Sequence, residues 1–161
     1  MRPGGLGAEP SKYRPRLRMF HEISDDPGSR TPTELRELYE AELLAVVDRH
    51  GLEAVAAASD VDEATLRALQ DGDSPEPELE LEAAASVLAV ADDAPDADTI
   101  ATVSRDALLM GMTTAVLDVE AVASGLDGEL EAREIQSKIE GRFPMTLGEF
   151  ALLHRYIESR T

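Results

Sequence analysis

The chain of 161 residues contains no cysteine, and aromatic residues make up only 4% of it. Without cysteine there is neither a disulfide framework nor a thiolate, which excludes disulfide-stabilised secreted scaffolds, zinc ribbons and thiol catalysis. The longest uncharged apolar stretch, residues 83–91, is far shorter than the ~20 residues of a membrane span. The sequence therefore predicts a soluble chain of one domain or two very small ones, with a modest core in which Ala is prominent.

Basic residues are also scarce. Fifteen Lys and Arg face 33 Asp and Glu, so the formal net charge is −18, and the acid is spread along almost the whole chain. Such like charges repel in dilute buffer, whereas molar salt shortens the Debye length to about 3 Å. A hydrophobic content of 43% opposes disorder. We interpret the acidity as adaptation to a salt-rich cytoplasm; an acidic disordered or nucleic-acid-mimicking protein is the alternative.

The first 18 residues depart from this pattern. They hold five Lys or Arg and one Glu, a net charge of +4, which leaves −22 for residues 19–161. The segment is rich in Pro and Gly and has no apolar run, so it is not a signal peptide. It is either a basic arm that binds phosphates or the translation of nucleotides upstream of a true start at Met19. The second interpretation is preferred. We expect residues 1–30 to be disordered.

Two capping boxes mark where helices begin. Thr31 and Glu34, with Pro32 at the first helical position, open one helix, and Thr146 and Glu149 open the last one. Apolar residues at three- and four-residue spacings follow each start. Helix ends are indicated by three glycines: Gly51, Gly72 and Gly141. No segment alternates like a strand, so the sequence predicts an all-α fold.

Proline divides the chain. Two prolines in residues 73–82 oppose a regular helix before about residue 77, and residues 92–98 contain Pro95. We predict two small helical units. The predicted organisation is a disordered segment over 1–30, a helix-turn-helix-like domain over 31–92, a linker over 93–98 and a C-terminal helical domain over 99–161.

Residues 43–90 combine several features in a fixed order. A small residue lies in the second helix, an apolar residue in the turn and paired leucines in the third helix; these four residues are Ala56, Val61, Leu66 and Leu69. Gly72 follows three residues later, and a Pro and a Leu open the next helix. On these features the segment resembles the Cro and phage-repressor type of helix-turn-helix domain.

That resemblance implies a third helix that lies in the DNA major groove. Thr65, Arg67 and Gln70 would then be the residues that contact bases. Asp62 and Glu63 oppose this function, because they would face phosphates without a counter-charge.

The second half of the chain echoes the first. Residues 53–56 (EAVA) recur at 120–123, and the helix end at residues 71–72 recurs as residues 140–141, followed in each half by an apolar helix led by Leu79 or Leu147. A degenerate tandem repeat would explain this, and chance in an Ala- and Glu-rich chain is the alternative. The second copy is the more basic, with these candidate contacts for DNA or a partner: Arg133, Gln136, Lys138 and Arg142.

Three stretches carry a longer resemblance: residues 31–35 (TPTEL), 109–118 (LMGMTTAVLD) and 139–147 (IEGRFPMTL). On these the chain, from about Met19, resembles members of an uncharacterised haloarchaeal protein family. The resemblance implies a halophilic cytoplasm and a start at Met19, and it implies no activity, cofactor or site.

No motif for catalysis, a cofactor or a metal is found. His21, His50 and His154 lie far apart and outside any metal-binding spacing, and there is no phosphate-binding Gly loop or nucleophile elbow. The acidic turn over residues 71–80 lacks the order of a calcium loop. Met110 and Met112 are expected to pack in the core. We therefore expect neither an enzyme nor a bound cofactor or metal.

The leading hypothesis is a non-catalytic regulatory or adaptor protein of a halophilic cytoplasm. It would bind a protein partner through a helix-turn-helix-like scaffold whose groove-reading face has become acidic. The alternative is a DNA-binding transcriptional regulator, in which case the four contact residues of the second half should form one patch. An unrecognised enzyme is a remote third. We expect no membrane partner, and a homodimer stays open.

Overall fold

The computed structural model describes residues 18–161, and the expectations for residues 1–17 fall outside that range. The described chain forms eight α-helices and two short 3₁₀ turns, Phe20–Glu22 and Pro27–Ser29. The helices are α1 (Pro32–His50), α2 (Leu52–Ala58), α3 (Glu63–Gln70), α4 (Leu81–Leu88), α5 (Ala97–Ala115), α6 (Val119–Gly125), α7 (Ala132–Ile139) and α8 (Leu147–Ser159). One isolated β-bridge is present and no strand forms over residues 18–161. The all-α prediction is confirmed.

The helix ends that local sequence determines lie where the sequence predicts them. The Thr31 hydroxyl accepts a hydrogen bond from the Glu34 amide at 3.0 Å, and the Glu34 carboxylate accepts one from the Thr31 amide at 2.9 Å. The equivalent box of Thr146 and Glu149 closes with two bonds of 3.0 Å. α1 ends at Gly51, whose φ of 93° is open to glycine because glycine has no Cβ. These boundaries follow from neighbouring residues alone.

α4 begins at Leu81, later than the sequence predicts. The Leu81 amide donates to the Met145 carbonyl at 2.7 Å, and the Leu147 amide donates to the Leu79 carbonyl at 2.9 Å. Glu80 forms an antiparallel bridge in this extended stretch. A contact between distant segments therefore holds residues 79–80 out of the helix, and Leu81, instead of Leu79, leads α4.

The helices of the second half repeat those of the first in order, and the first three of them also repeat in length. α1 and α5 have 19 residues each, α2 and α6 have 7 each, and α3 and α7 have 8 each. All six buried positions of α1 (35, 39, 40, 43, 46 and 47) recur as buried positions 65 residues later in α5. Five of the six in α4 recur 66 residues later in α8. We call residues related by these offsets counterparts.

Contacts between helices recur in the same way. α1 packs on α8 as α5 packs on α4, and α2 packs on α3 as α6 packs on α7. The two hydrogen bonds that delay α4 are also counterparts of each other, because their donors, residues 81 and 147, are 66 apart and their acceptors, residues 79 and 145, are 66 apart as well. Each half thus donates the same bond to the other, as two subunits related by a two-fold axis would.

One hydrophobic core includes residues from both halves. At its centre the ring of Tyr39 lies 5.5 Å from that of Phe20 and 5.6 Å from that of Phe150, both edge-on. The helices on either side of the predicted linker, α4 and α5, pack against each other. Residues 93–98 therefore connect two helices that are in contact.

The prediction of disorder over residues 1–30 is wrong for residues 19–30. Phe20 and Ile23 are buried in the core, and the turn at Pro27–Ser29 packs on α8. The approach there is close, because a Cβ added to Gly28 would lie 2.8 Å from the Ser159 backbone. The segment is ordered because its apolar side chains cover the aromatic centre between α1 and α8.

Between residues 18 and 161, no single helix combines the length and the apolar composition of a membrane span. Only α5 and α6 taken together reach both, and they are bent by 89° relative to each other.

Candidate functional site

α3, the first predicted reading helix, carries its candidate residues beside carboxylates. Arg67 is exposed and its Nη2 lies 3.7 Å from Oε1 of Glu63, one helical turn away. Thr65 is half-buried and Gln70 is exposed. Asp62 caps the helix by accepting a hydrogen bond from the Thr65 amide at 2.9 Å, and this bond lowers the pKa of Asp62 below its ordinary value. The outward face of α3 therefore keeps fixed negative charge at its beginning.

On α7, the counterpart of α3, the carboxylate of Glu140 contacts two of the candidate residues. Gln136 donates to Oε2 of Glu140 at 3.0 Å, and Nη2 of Arg142 lies 2.8 Å from Oε1 of the same residue. The structure therefore brings Gln136 and Arg142 together, and both are already engaged.

Lys138 lies between α7 and α8. Its side chain is only 12% exposed, its Nζ is 3.3 Å from Glu134, and it donates a hydrogen bond to Glu149. Burial lowers the pKa of Lys138, but the two carboxylates raise it by more, so the net pKa is above its ordinary value. This ammonium stabilises the packing of two helices and is not presented to a ligand.

Arg133 is the exception. It is exposed at the start of α7 and forms no ion pair with any residue in the described range 18–161. The four candidate residues of the second half thus divide into one unpaired arginine, two residues on Glu140 and one lysine held by α8.

Sequence reasoning missed a buried arginine in α5. Arg105 is 8% exposed, donates from Nε to the Lys138 carbonyl at 2.9 Å and pairs with Glu82. The carbonyl belongs to the last turn of α7, where a cation is favourable. The counterpart of Arg105 in α1 is Glu40, which accepts a hydrogen bond from Ser74 at 3.1 Å. Burial raises the pKa of Glu40 above its ordinary value.

The second missed feature is an apolar surface on α5. Met110 is 69% exposed and Leu109 is 45% exposed, whereas Met112 is buried as expected. The expectation that Met110 packs in the core is wrong, because most of its side chain is open to solvent at the edge of α5 that borders α8. Beside Met110 is a cavity of about 570 Å³, with Asp106 and Glu158 among the residues that line it.

Two histidines line the same cavity. Nδ1 of His154 lies 3.2 Å from the Tyr39 hydroxyl, within hydrogen-bonding distance. Burial, helped by the charge of His21, lowers the pKa of His154 to about 4, so His154 is neutral at pH 7. Burial also raises the pKa of Tyr39. A neutral His paired with a protonated Tyr is a structural arrangement, and no group of three or more His, Asp and Glu between residues 18 and 161 is placed to hold a metal.

Residues 35–160 match the profile of a protein family described as a family of unknown function (DUF5791). No curated protein and no solved structure matches the chain.

Proposed function

The chain belongs to this family of unknown function, and from its geometry we propose that it is a non-catalytic regulatory or adaptor protein. It binds a protein partner through a scaffold in which α2–α3 resembles a helix-turn-helix and α6–α7 is its counterpart. The working environment is a salt-rich cytoplasm, which the formal charge of −18 supports.

The pairing of the basic residues carries this proposal. A surface that binds DNA gains affinity when Lys and Arg replace the counterions of the phosphates. Here Arg67 already lies beside Glu63, Arg142 beside Glu140, and Lys138 is buried between two carboxylates. Any phosphate that approached α3 or α7 would meet these carboxylates as well. A protein partner does not require this surface to be positively charged.

A chromatin experiment tests the choice between protein and DNA. The tagged protein is captured from cross-linked cells in molar salt, and the DNA that co-purifies is sequenced beside an untagged control. We expect no discrete loci above the control. Discrete loci that are retained by a chain starting at Met19 would contradict the proposal and establish a DNA-binding regulator.

The second candidate function, a DNA-binding regulator, is favoured by Arg133 alone, since it is the exposed and unpaired cation of α7. Fluorescence anisotropy with a short mixed-sequence duplex measures its contribution. If DNA is the ligand, Arg133→Ala should weaken binding and reduce its salt dependence by about one phosphate contact. Arg67→Ala, in which the lost arginine was already paired, is the matched control.

The salt-rich environment has its own test. Because the net charge is high and the core modest, helical circular dichroism should rise when the protein is moved from dilute buffer into molar KCl. Full helicity without added salt would contradict adaptation to a salt-rich cytoplasm and would leave the choice of partner unaffected.

A further inference from the structure

We propose that the outer face of α5 is a docking surface for a segment of another protein that presents apolar side chains next to a basic one. This inference rests on the proposed function, because it names the surface that the protein partner would use. We call this surface the α5 stripe, and its residues are Val103, Ala107, Leu109, Met110, Thr114 and Val116.

Five of the six residues of the α5 stripe lie in a run without charge. No charged residue occurs from position 107 to position 117, in a chain that is 30% charged. The counterparts on α1 of positions 107, 113 and 114 are Glu42, Asp48 and Arg49. The other four stripe residues have the uncharged counterparts Leu38, Leu44, Ala45 and Gly51, so the two halves differ in charge over only part of this surface. At positions 107 and 114 the fold accepts charged residues in the first half and therefore does not require the uncharged ones of α5.

Val116 is the clearest single residue of the stripe. It ends α5 with a φ of 57° and is 89% exposed. A β-branched residue disfavours this left-handed region, and its counterpart Gly51 is the residue type that such a position favours. Val116 is therefore favoured neither by its backbone conformation nor by burial. A contact with a partner accounts for a valine at this position.

The charge beside the stripe defines the occupant. Asp106 and Glu158 line the cavity next to Met110, and neither forms an ion pair with a residue of the described range. The carboxylates on α3 and α7 instead hold cations of this chain, as Glu63 and Glu140 do. A basic side chain on the partner would complement the two free carboxylates. A second copy of this chain would bring like charges together.

The size of the stripe favours a protein segment over a small molecule. Positions 103 and 116 are 13 residues apart on one helix, a length of about 20 Å at 1.5 Å per residue. The cavity occupies only part of that length, on the Met110 side. Val103, Ala107, Met110 and Thr114 recur at three- and four-residue steps on the cavity side of α5, so an amphipathic segment laid along the helix would meet them with anchors at helical spacing. Leu109 and Val116 lie roughly 100° or more around the helix and would flank that segment.

Methionine-methyl NMR on the full chain tests the inference. The probes are two synthetic helical peptides with the same three-leucine face, one flanked by Lys and the other by Glu. We expect the Lys peptide to shift the methyl resonance of exposed Met110 and leave that of buried Met145 in place. The Glu peptide should bind at least roughly tenfold more weakly, and the difference should shrink as KCl is raised.

Variants separate docking from folding. Val116→Gly should weaken binding of a labelled Lys peptide several-fold while leaving the melting temperature unchanged or higher, because glycine relieves the left-handed conformation. Met110→Ser should weaken it further, and Ala45→Ser, at the counterpart position on α1, should have no effect.

Four results would overturn the inference. The first is a Met110 resonance that neither peptide moves, and the second is equal affinity for the two peptides. The third is a Met110 shift that depends on protein concentration without peptide, which would make a second copy the occupant. The fourth is much tighter peptide binding by a chain starting at Met19, which would make residues 1–17 the occupant. None of these results would produce enriched DNA loci in the chromatin experiment. A failure of this inference is therefore distinguishable from a failure of the proposed function.

Discussion

The two halves of this molecule bury the same positions of corresponding helices and expose different chemistry. Positions 43 and 108 are both buried leucines, whereas Asp48 and Arg49 face water where α5 has two threonines. Burial is constrained because a core position must fill space in both halves. The exposed faces are free of that constraint, so their chemistry can differ between the halves.

The buried ionic groups differ in the same comparison. Glu40 and Arg105 are counterparts of opposite charge. Glu40 accepts a hydrogen bond from Ser74 of its own half, whereas Arg105 contacts Lys138 of its own half and Glu82 of the first half. Lys138 on α7 lies where α3 has the buried Leu69, and two carboxylates hold it there. Equivalent positions are therefore filled by side chains of different chemistry in the two halves. Substituting a residue by its counterpart is for that reason an informative test.

The largest effect is expected in the aromatic centre. Phe150 contacts Phe20 and Tyr39, and its counterpart is Ala84. Phe150→Ala should lower the free energy of unfolding by about 3–5 kcal/mol, because it leaves a cavity that neighbouring helices only partly close. Urea denaturation in molar KCl measures it, with exposed Phe143→Ala as the control. Equal costs for the two variants would show that the three rings do not form the centre of the core.

The next largest effect depends on pH. The pKa of His154 is about 4 in the folded chain and about 6.5 when unfolded, so the unfolded chain binds more protons between these values. Stability is fully present above pH 6.5 and falls as the pH drops toward 4, by up to about 3 kcal/mol. His154→Leu, which installs the residue of its counterpart Leu88, should flatten this part of the profile. An unchanged slope in that variant would contradict a buried neutral His154.

Arg105 gives a smaller effect. Arg105→Ala should cost about 2 kcal/mol, since it removes a charged donor from the Lys138 carbonyl and leaves Glu82 unpaired. Arg67→Ala, which removes an exposed pair on α3, should change stability by less than about 0.5 kcal/mol. Both are measured by urea denaturation. If the two arginines cost the same, Arg105 does not join α5 to α7 as described.

The smallest effect concerns the ends of α1 and α5, where the residue that follows each helix has a positive φ. Val116→Gly should stabilise the chain by roughly 1 kcal/mol, because only the valine is strained in the left-handed region. Gly51→Val should destabilise it by a similar amount. Thermal melts of the two variants should therefore shift in opposite directions, and shifts of the same sign would contradict the counterpart relation.

Much of the fold was predictable because its signals are local. The capping boxes at Thr31 and Thr146 and the helix end at Gly51 depend on residues within one turn, and each was located correctly. The helix-turn-helix resemblance and the identity of the partner stay predictions. The ordered structure of residues 19–30 was not predicted. It depends on the packing of Phe20 in the core, where Phe20 contacts Phe150, a residue more than 100 positions away in the sequence.

The candidate site was only partly predictable. The seven candidate contact residues stay a prediction. The sequence did not predict that four of them, Arg67, Gln136, Lys138 and Arg142, contact carboxylates of this chain. The uncharged run from 107 to 117 was visible in the sequence and was the signal that could have found the α5 stripe. Its exposure was not visible, because periodicity alone does not say which methionine faces water.

The sequence by itself determined the helical class, most helix ends and the charge of the surface, because capping, periodicity and composition act over a few residues. The tertiary structure alone decided that α4 starts at Leu81, that Lys138 is held by α8 and that Met110 is exposed. The first two depend on hydrogen bonds and ion pairs between different helices. The third depends on which face of α5 meets its neighbours, and no single helix contains that information.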